Sequence, residues 1–180
     1  VKAMFNDVEF RQRNQLSAVN SINWARVMAQ TVYYVTASEM FDEPVTFSVP
    51  TGNFGNVLAG WIARKMGAPI RDFIISSNTN DILTRFINDN DMSARAVIPS
   101  LSPSMDIQVS SNFERLLFEM NGRDGGMTAE QMRRFRATGK LLIEPDQRAT
   151  FLSGSIRAAA FDDARTLAEI KRVYDATGGY

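Results

Sequence analysis

Apolar residues recur at two different periods along this chain, and the switches between them mark out its elements. Over 2–12, Met4, Phe5, Val8 and Phe10 fall on one side of a helix, with Val1 just ahead. Asn20-Ser21 supplies an N-cap for a second helix over 22–40, where Ile22, Ala25, Met28, Ala29, Val32 and Tyr33 follow helical spacing. Glu43-Pro44 breaks that pattern, and Val45-Thr46-Phe47-Ser48-Val49 reads as a buried strand. A Gly-Asn segment then leads into a helical run over 56–66 that stops at Gly67, a residue suited to the C′ position. Pro69 precedes a second strand over 71–76, whose Phe73-Ile74-Ile75 centre suits a parallel strand covered on both faces. Asn78-Thr79-Asn80-Asp81 caps a helix over 82–88, and Ala96-Val97-Ile98 is expected to be a short third strand.

The middle of the chain therefore predicts β-α-β-α-β, an α/β doubly wound sheet with ligands beyond the carboxyl ends of its strands. From Ser111 onward the pattern is mostly helical. One helix is expected over 112–120 and a turn over 121–126. Another helix begins at Thr128-Ala129-Glu130-Gln131, with Gln131 in the Gln position of a capping box, and ends near Gly139. Two more cover 146–152 and 163–176. This tail reads as a helical lobe added to the sheet. Val1 runs straight into a helical pattern, and Gly178-Gly179-Tyr180 follows a helix where an α/β protein turns into its next strand. Both ends are expected to be cuts inside a longer protein.

Composition removes many kinds of chemistry. Twenty basic residues balance twenty acidic ones, so charge gives no reason to expect nucleic acid or an anionic membrane as a partner. No apolar run approaches the roughly 18–20 residues that span a bilayer, and the N-terminus lacks a signal-peptide layout. There is no cysteine, hence no disulfide or thiolate metal site, which is compatible with a cytoplasmic location. There is no histidine either, which excludes Ser-His-Asp and Cys-His catalysis and His-ligated zinc. What remains is Lys, Tyr, Ser/Thr, carboxylates or a cofactor.

The segment Pro50-Thr51-Gly52-Asn53-Phe54-Gly55-Asn56 joins a strand to a helix. Helix-start N–H groups lack intrahelical partners and carry partial positive charge, so a glycine-containing turn here suits a phosphate. The segment lacks the Lys-Ser/Thr ending of a P-loop and is not a three-glycine dinucleotide fingerprint. The bland alternative is a tight turn with an N-cap. Ser102-Pro103-Ser104-Met105-Asp106-Ile107-Gln108 is either an active-site wall or a plain βα connection. Asn20, Ser21, Asn23 and Arg26 open the second helix, where an anion or simply a capped helix fits. Arg133, Arg134 and Arg136 read as a solvated face. Lys2 falls on the N-terminal helix, Lys65 at a helix end near Arg64, and Lys140 and Lys171 on helices that look exposed; none has the dry setting of a Schiff-base lysine.

Four blocks, NSINWARVMAQTVYYV (20–35), FSVPTGNFGNVLAGWIARKMG (47–67), NTNDILTRF (78–86) and PSLSPSMDIQVSSNFERLLFE (99–119), together resemble the threonine synthase family in its long bacterial and fungal form. They occur in the family's order and cover nearly all of 1–120, with a weaker likeness through the tail. The resemblance implies a partial, doubly wound, three-layer α/β sheet of the fold-type II pyridoxal 5'-phosphate (PLP) class, related to the tryptophan synthase β fold, with a helical C-terminal part. Residues 1–120 would belong to the large PLP-binding domain and 121–180 to a mostly helical extension of it.

The implied reaction converts O-phospho-L-homoserine and water to L-threonine and phosphate, as a lyase of threonine biosynthesis. The implied cofactor-phosphate residues are Gly52, Asn53, Phe54, Gly55 and Asn56. Asn20, Ser21, Asn23 and Arg26 are assigned to the substrate phosphate or its surroundings. The family's Schiff-base lysine, in an Ala/Ser-Phe-Lys-Asp context, is absent from this chain, so no catalytic residue is assigned and the isolated chain is expected to be inactive and to self-associate. The alternatives are another fold-type II enzyme, a serine/threonine dehydratase or cysteine synthase, and a non-catalytic binding module.

Overall fold

The computed structural model describes residues 2–17, 20, 22–152 and 154–179. In chain order these form α1 (Lys2–Asn6), α2 (Val8–Arg13), α3 (Trp24–Ser38), β1 (Val45–Pro50), α4 (Gly55–Lys65), β2 (Ile70–Ser77), α5 (Ile82–Asp89), β3 (Met92–Ser93), α6 (Phe113–Met120), α7 (Gly125–Thr138), β4 (Lys140–Leu141), α8 (Pro145–Leu152), β5 (Ile156–Ala160) and α9 (Asp163–Thr177), with a 3-10 turn at Pro103–Met105.

Strands β1, β2 and β5 form a parallel sheet in that order. The register sets Phe47 beside Phe73, Val49 beside Ile75 and Phe73 beside Ile156. Alternate side chains point to opposite faces, so these residues share one face, on which Val49, Phe73, Ile75 and Ile156 are buried. Helices α3, α4 and α5 cover that face. Tyr34 of α3 packs edge-on against Phe47, with ring centroids 4.7 Å apart, and against Phe73 at 6.0 Å. Gly60 of α4 lets these layers close: a Cβ there would sit 2.6 Å from ring atoms of both Phe73 and Tyr34. Phe86 of α5 and Phe113 of α6 meet edge-on at 4.9 Å, which seals the far end of the core.

The third strand differs from expectation. Residues 96–98 make no ladder; Ile98 is instead held by the Asn80 side chain, which accepts from the Ile98 N–H at 2.9 Å and donates to its carbonyl at 2.8 Å. One amide thus does the work of a neighbouring strand. The third strand comes from the tail, where Ile-Arg-Ala-Ala-Ala carries a helix-favouring composition. Pairing with β2 overrides that preference. The tail is otherwise mostly helical.

Three helices also depart in detail. The run over 2–12 is two helices, because the Asp7 side chain accepts from the Phe10 N–H at 2.9 Å and caps a new start. Helix α3 buries Val27, Thr31, Tyr34 and Ser38, while Ile22, Met28, Val32 and Tyr33 are exposed. This helix is apolar on two sides, and the sheet takes the side that offers Tyr34 ring neighbours and a hydrogen-bond acceptor. Helix α7 starts at Gly125, since Asp124 caps the Met127 N–H at 2.9 Å, and Gln131 accepts from the Asn121 amide rather than closing a capping box.

Candidate functional site

The β1 carboxyl end runs into the Gly-Asn loop without a break. The Thr51 N–H continues the ladder to the Ser76 carbonyl at 3.0 Å, and the Thr51 hydroxyl accepts from the Phe54 N–H at 3.1 Å. Phe54 is the N-cap of α4 and has φ +63°, the left-handed region. For a bulky residue this conformation costs on the order of 1–3 kcal/mol. The Phe54 ring is 1% exposed and lies edge-on to Phe113 at 6.4 Å. Burying such a ring is worth about 1.5–3 kcal/mol, which offsets the strain. The first helical bond of α4 runs from the Leu58 N–H to the Phe54 carbonyl at 3.0 Å. The N–H groups of Gly55, Asn56 and Val57 have no acceptor among the described residues. Helix-start donors left open in this way are suited to an anion.

Neighbouring elements hold this loop from three sides. Beneath it, Gly52 lies against residues 104–107: a Cβ there would be 3.0 Å from Ile107 Cδ1 and 3.2 Å from Met105 Cα. Beside it, the Asn53 carbonyl accepts from both the main-chain N–H and the side-chain amide of Asn112, each at 3.1 Å, and the Ser111 hydroxyl donates to Asn53 Oδ1 at 3.2 Å. On the α3 side, the Tyr34 hydroxyl donates to Asn56 Oδ1. Burial pushes that hydroxyl above the usual tyrosine range, so it stays protonated and remains a donor. With Oδ1 engaged, Asn56 has its Nδ2 left to offer an anion.

The start of α3 reaches the same loop indirectly. Asn20 Oδ1 accepts from the Ile22 N–H at 3.0 Å, and Asn23 caps α3 by accepting from the Ala25 N–H at 2.9 Å. Arg26 is exposed. Ser21 lies outside the described residues. Arg115 of α6 donates to the Ile22 carbonyl at 2.6 Å and to Asn112 Oδ1, so the two segments singled out in the sequence are joined through Asn112. Neither Asn112 nor Arg115 stands out in the sequence, where both read as parts of an ordinary helix.

The 102–108 segment is fixed by Asp106. Its carboxylate accepts from the Ser100 hydroxyl at 2.6 Å, the Ser100 N–H at 3.0 Å, and the amides of Asn78 at 2.7 Å and Asn80 at 3.0 Å. These bonds, the Ser100 hydroxyl foremost, outweigh partial desolvation and hold the Asp106 pKa below the ordinary carboxylate value. The segment is thereby tied to the end of β2.

A cavity of about 470 Å³ opens at the carboxyl ends of all three strands. Pro50, Ser76 and Asn78 form its floor, Met105 one wall, and Phe161 and Ile170 the side toward α9. Pro50 and Ser76 alternate with Val49 and Ile75, so α9 lies toward the sheet face opposite α3–α5. Residues 52–56 do not line this cavity; they sit beyond Pro50 and Met105. Ser102, Arg165 and Glu169 also line the cavity, whereas the open backbone N–H donors belong to the loop. None of the described lysine side chains lines the cavity: Lys65 lies over the Trp61 ring at 4.9 Å, Lys171 pairs with Asp175 at 2.7 Å, and Lys140 is exposed on β4. Among the described residues no cluster of three or more acidic groups could hold a metal, and no helix is long and apolar enough to cross a membrane.

No family model matches the chain. Curated relatives do. The threonine synthase of Pseudomonas aeruginosa is 50% identical over 181 residues, covering 99% of this chain and 38% of that protein. Among solved structures, PLP-bound threonine synthase from Brucella melitensis aligns with a TM-score of 0.93 at 44% identity, over 99% of this chain and 39% of that one. Yeast threonine synthase aligns with a TM-score of 0.87 at 38% identity, over 97% of this chain and 36% of that one. The chain thus spans well under half the length of the proteins it matches.

Proposed function

We propose that this chain, homologous to threonine synthases over nearly all of its length, is a central portion of such an enzyme, converting O-phospho-L-homoserine and water to L-threonine and phosphate with PLP. One observation carries the reading: the open N–H groups after β1 sit in a fold whose PLP-bound relative aligns over 99% of the chain. The residues fit the cofactor's 5'-phosphate. Gly52 allows the loop to lie close against 104–107, Phe54 turns the backbone into α4, and the N–H groups of Gly55, Asn56 and Val57 have no competing acceptor among the described residues.

When bound, PLP supplies an electron sink for carbanionic substrate carbons. The chain's own residues bind and orient. The α4 start holds the cofactor phosphate through backbone donors, with Asn56 Nδ2 adding a side-chain donor. Asn53, fixed by Asn112 and Ser111, keeps the loop from collapsing onto those donors. Asn20, Asn23 and Arg26 line the approach of the substrate phosphate, with Arg26 bringing positive charge; Ser21 is assigned to the same substrate from the sequence alone. No described lysine side chain is placed to move a proton at this site, so the proton transfers are not assigned to these residues. On this reading 1–120 belong to the large cofactor domain, and 121–180 extend it by lending β5 to its sheet, in a cytoplasmic enzyme.

The test is product analysis of the full-length protein that carries this chain, supplied with PLP and O-phospho-L-homoserine. Equal amounts of threonine and phosphate are expected. Formation of 2-oxobutanoate without threonine would replace this reading with a dehydratase.

A further inference from the structure

We propose that Arg115 is a positioning residue that sets the start of α3 against the phosphate-binding loop. The inference rests on the function proposed above for residues 20–26 and 52–56. The guanidinium makes two directed bonds from one planar group, to the Ile22 carbonyl at 2.6 Å and to Asn112 Oδ1. It also lies 5.7 Å from the centre of the Trp24 ring, the first residue of α3. Asn112 is fully buried and passes the link on through two bonds to the Asn53 carbonyl. A continuous polar path therefore runs from Ile22 to Asn53, between segments that are thirty residues apart in sequence and joined here by a third.

The parts of this path are not equivalent. Asn53 keeps both Asn112 donors if Arg115 is removed, so the phosphate-binding loop has its own support. The Ile22 carbonyl precedes the Asn23 cap and has only Arg115 as a side-chain donor among the described residues. Loss of Arg115 therefore frees the α3 start and leaves the loop standing. On the functional reading, this separates the substrate phosphate from the cofactor phosphate. A fixed fork is needed, because the two acceptors lie on different elements; a lysine brings the charge without the planar geometry.

The experiment uses Arg115→Met and Arg115→Lys in the full-length protein. Both are expected to raise KM for O-phospho-L-homoserine about tenfold, while kcat and PLP affinity stay within about twofold. Hydrogen exchange gives a readout that does not depend on activity. The amides of Ala25, Arg26 and Val27, all bonded to Asn23, should exchange about tenfold faster in both variants, with those of Leu58–Gly60 unchanged. Unchanged exchange at 25–27 would overturn the positioning role whatever the enzyme turns out to catalyse. Rescue of KM by Arg115→Lys would also overturn it, leaving charge alone as the cause. If the parent protein makes no threonine, the functional reading fails and the exchange measurement still decides the role of Arg115.

Discussion

Asn112 grips Asn53 twice: its main-chain N–H and its side-chain amide both donate to the same carbonyl oxygen, each at 3.1 Å. A carbonyl saturated in this way cannot turn inward to take the N–H groups at the start of α4. The loop is kept open by satisfying its acceptors elsewhere.

Replacing Asn112 with alanine removes one of those bonds and strands the Arg115 donor. Stability should fall by about 1–3 kcal/mol, the usual cost of leaving buried polar groups unpaired. Affinity for PLP should fall about tenfold, since loop and anion are linked through Asn53. Urea unfolding and a cofactor titration read the two effects separately, and unchanged cofactor affinity would show that the loop stands without Asn112.

Gly60→Ala sets two effects against each other. Alanine favours a helix interior by about 1 kcal/mol over glycine. Here its Cβ would press to 2.6 Å on rings of both Phe73 and Tyr34. Overpacking of this kind costs about 1–3 kcal/mol, so net destabilisation is expected. A raised melting temperature would mean that α3 can back away from the sheet.

Gly52→Ala should act more on binding than on folding. The added methyl meets Ile107 Cδ1, which can rotate, and Met105 Cα, which is backbone and cannot. The loop must lift away from 104–107, and PLP affinity is expected to drop about tenfold while stability changes by less than about 1 kcal/mol. Isothermal titration of the variant with PLP checks this; wild-type affinity would place the phosphate elsewhere.

Acid should act through Asp106. Its folded pKa lies below the ordinary value of 3.8, so its contribution to stability is complete above that value and is lost as pH falls through the folded pKa. Asp106→Asn should therefore destabilise the protein near neutral pH and flatten the stability–pH curve below about 4. Parallel curves for both proteins in that range would remove Asp106 as the source of acid sensitivity.

The described lysine side chains make one further expectation concrete. Lys65, Lys140 and Lys171 all lie away from the loop and the cavity. The 180-residue chain mixed with PLP, reduced with borohydride and mapped by mass spectrometry should show no stoichiometric label on any of the three. Full labelling of one, with turnover of O-phospho-L-homoserine, would relocate the reactive amine.

The Gly-Asn loop was legible in the sequence because its signal is local: an apolar strand, two glycines and a helical pattern, all within 45–66. The parallel β1–β2 pair and α4, α5 and α9 were legible for the same reason. Strand β5 was not, since alanines carry no strand signal and only the edge of β2 makes them extended. The buried side of α3 was not legible because both sides carry apolar residues, and the choice between them rests on Gly60 and Phe73. The Arg115–Ile22 bond spans 93 positions, and nothing near either residue announces the other.

The register of β5 on β2 bears on how the chain comes to be folded. These parallel neighbours are separated by residues 78–155, so the sheet closes only after α5–α8 have been made and gathered. Until then β2 presents a bare edge on that side, and closing so long a loop is paid for in chain entropy before any ladder bond repays it. During synthesis, the pair β1–β2 with α4 can form as soon as it emerges, while its completing strand is still untranslated. The backbone of the Gly-Asn loop can thus be placed early through the Thr51–Ser76 bond, its supports at 104–112 follow, and the α9 side of the cavity comes last.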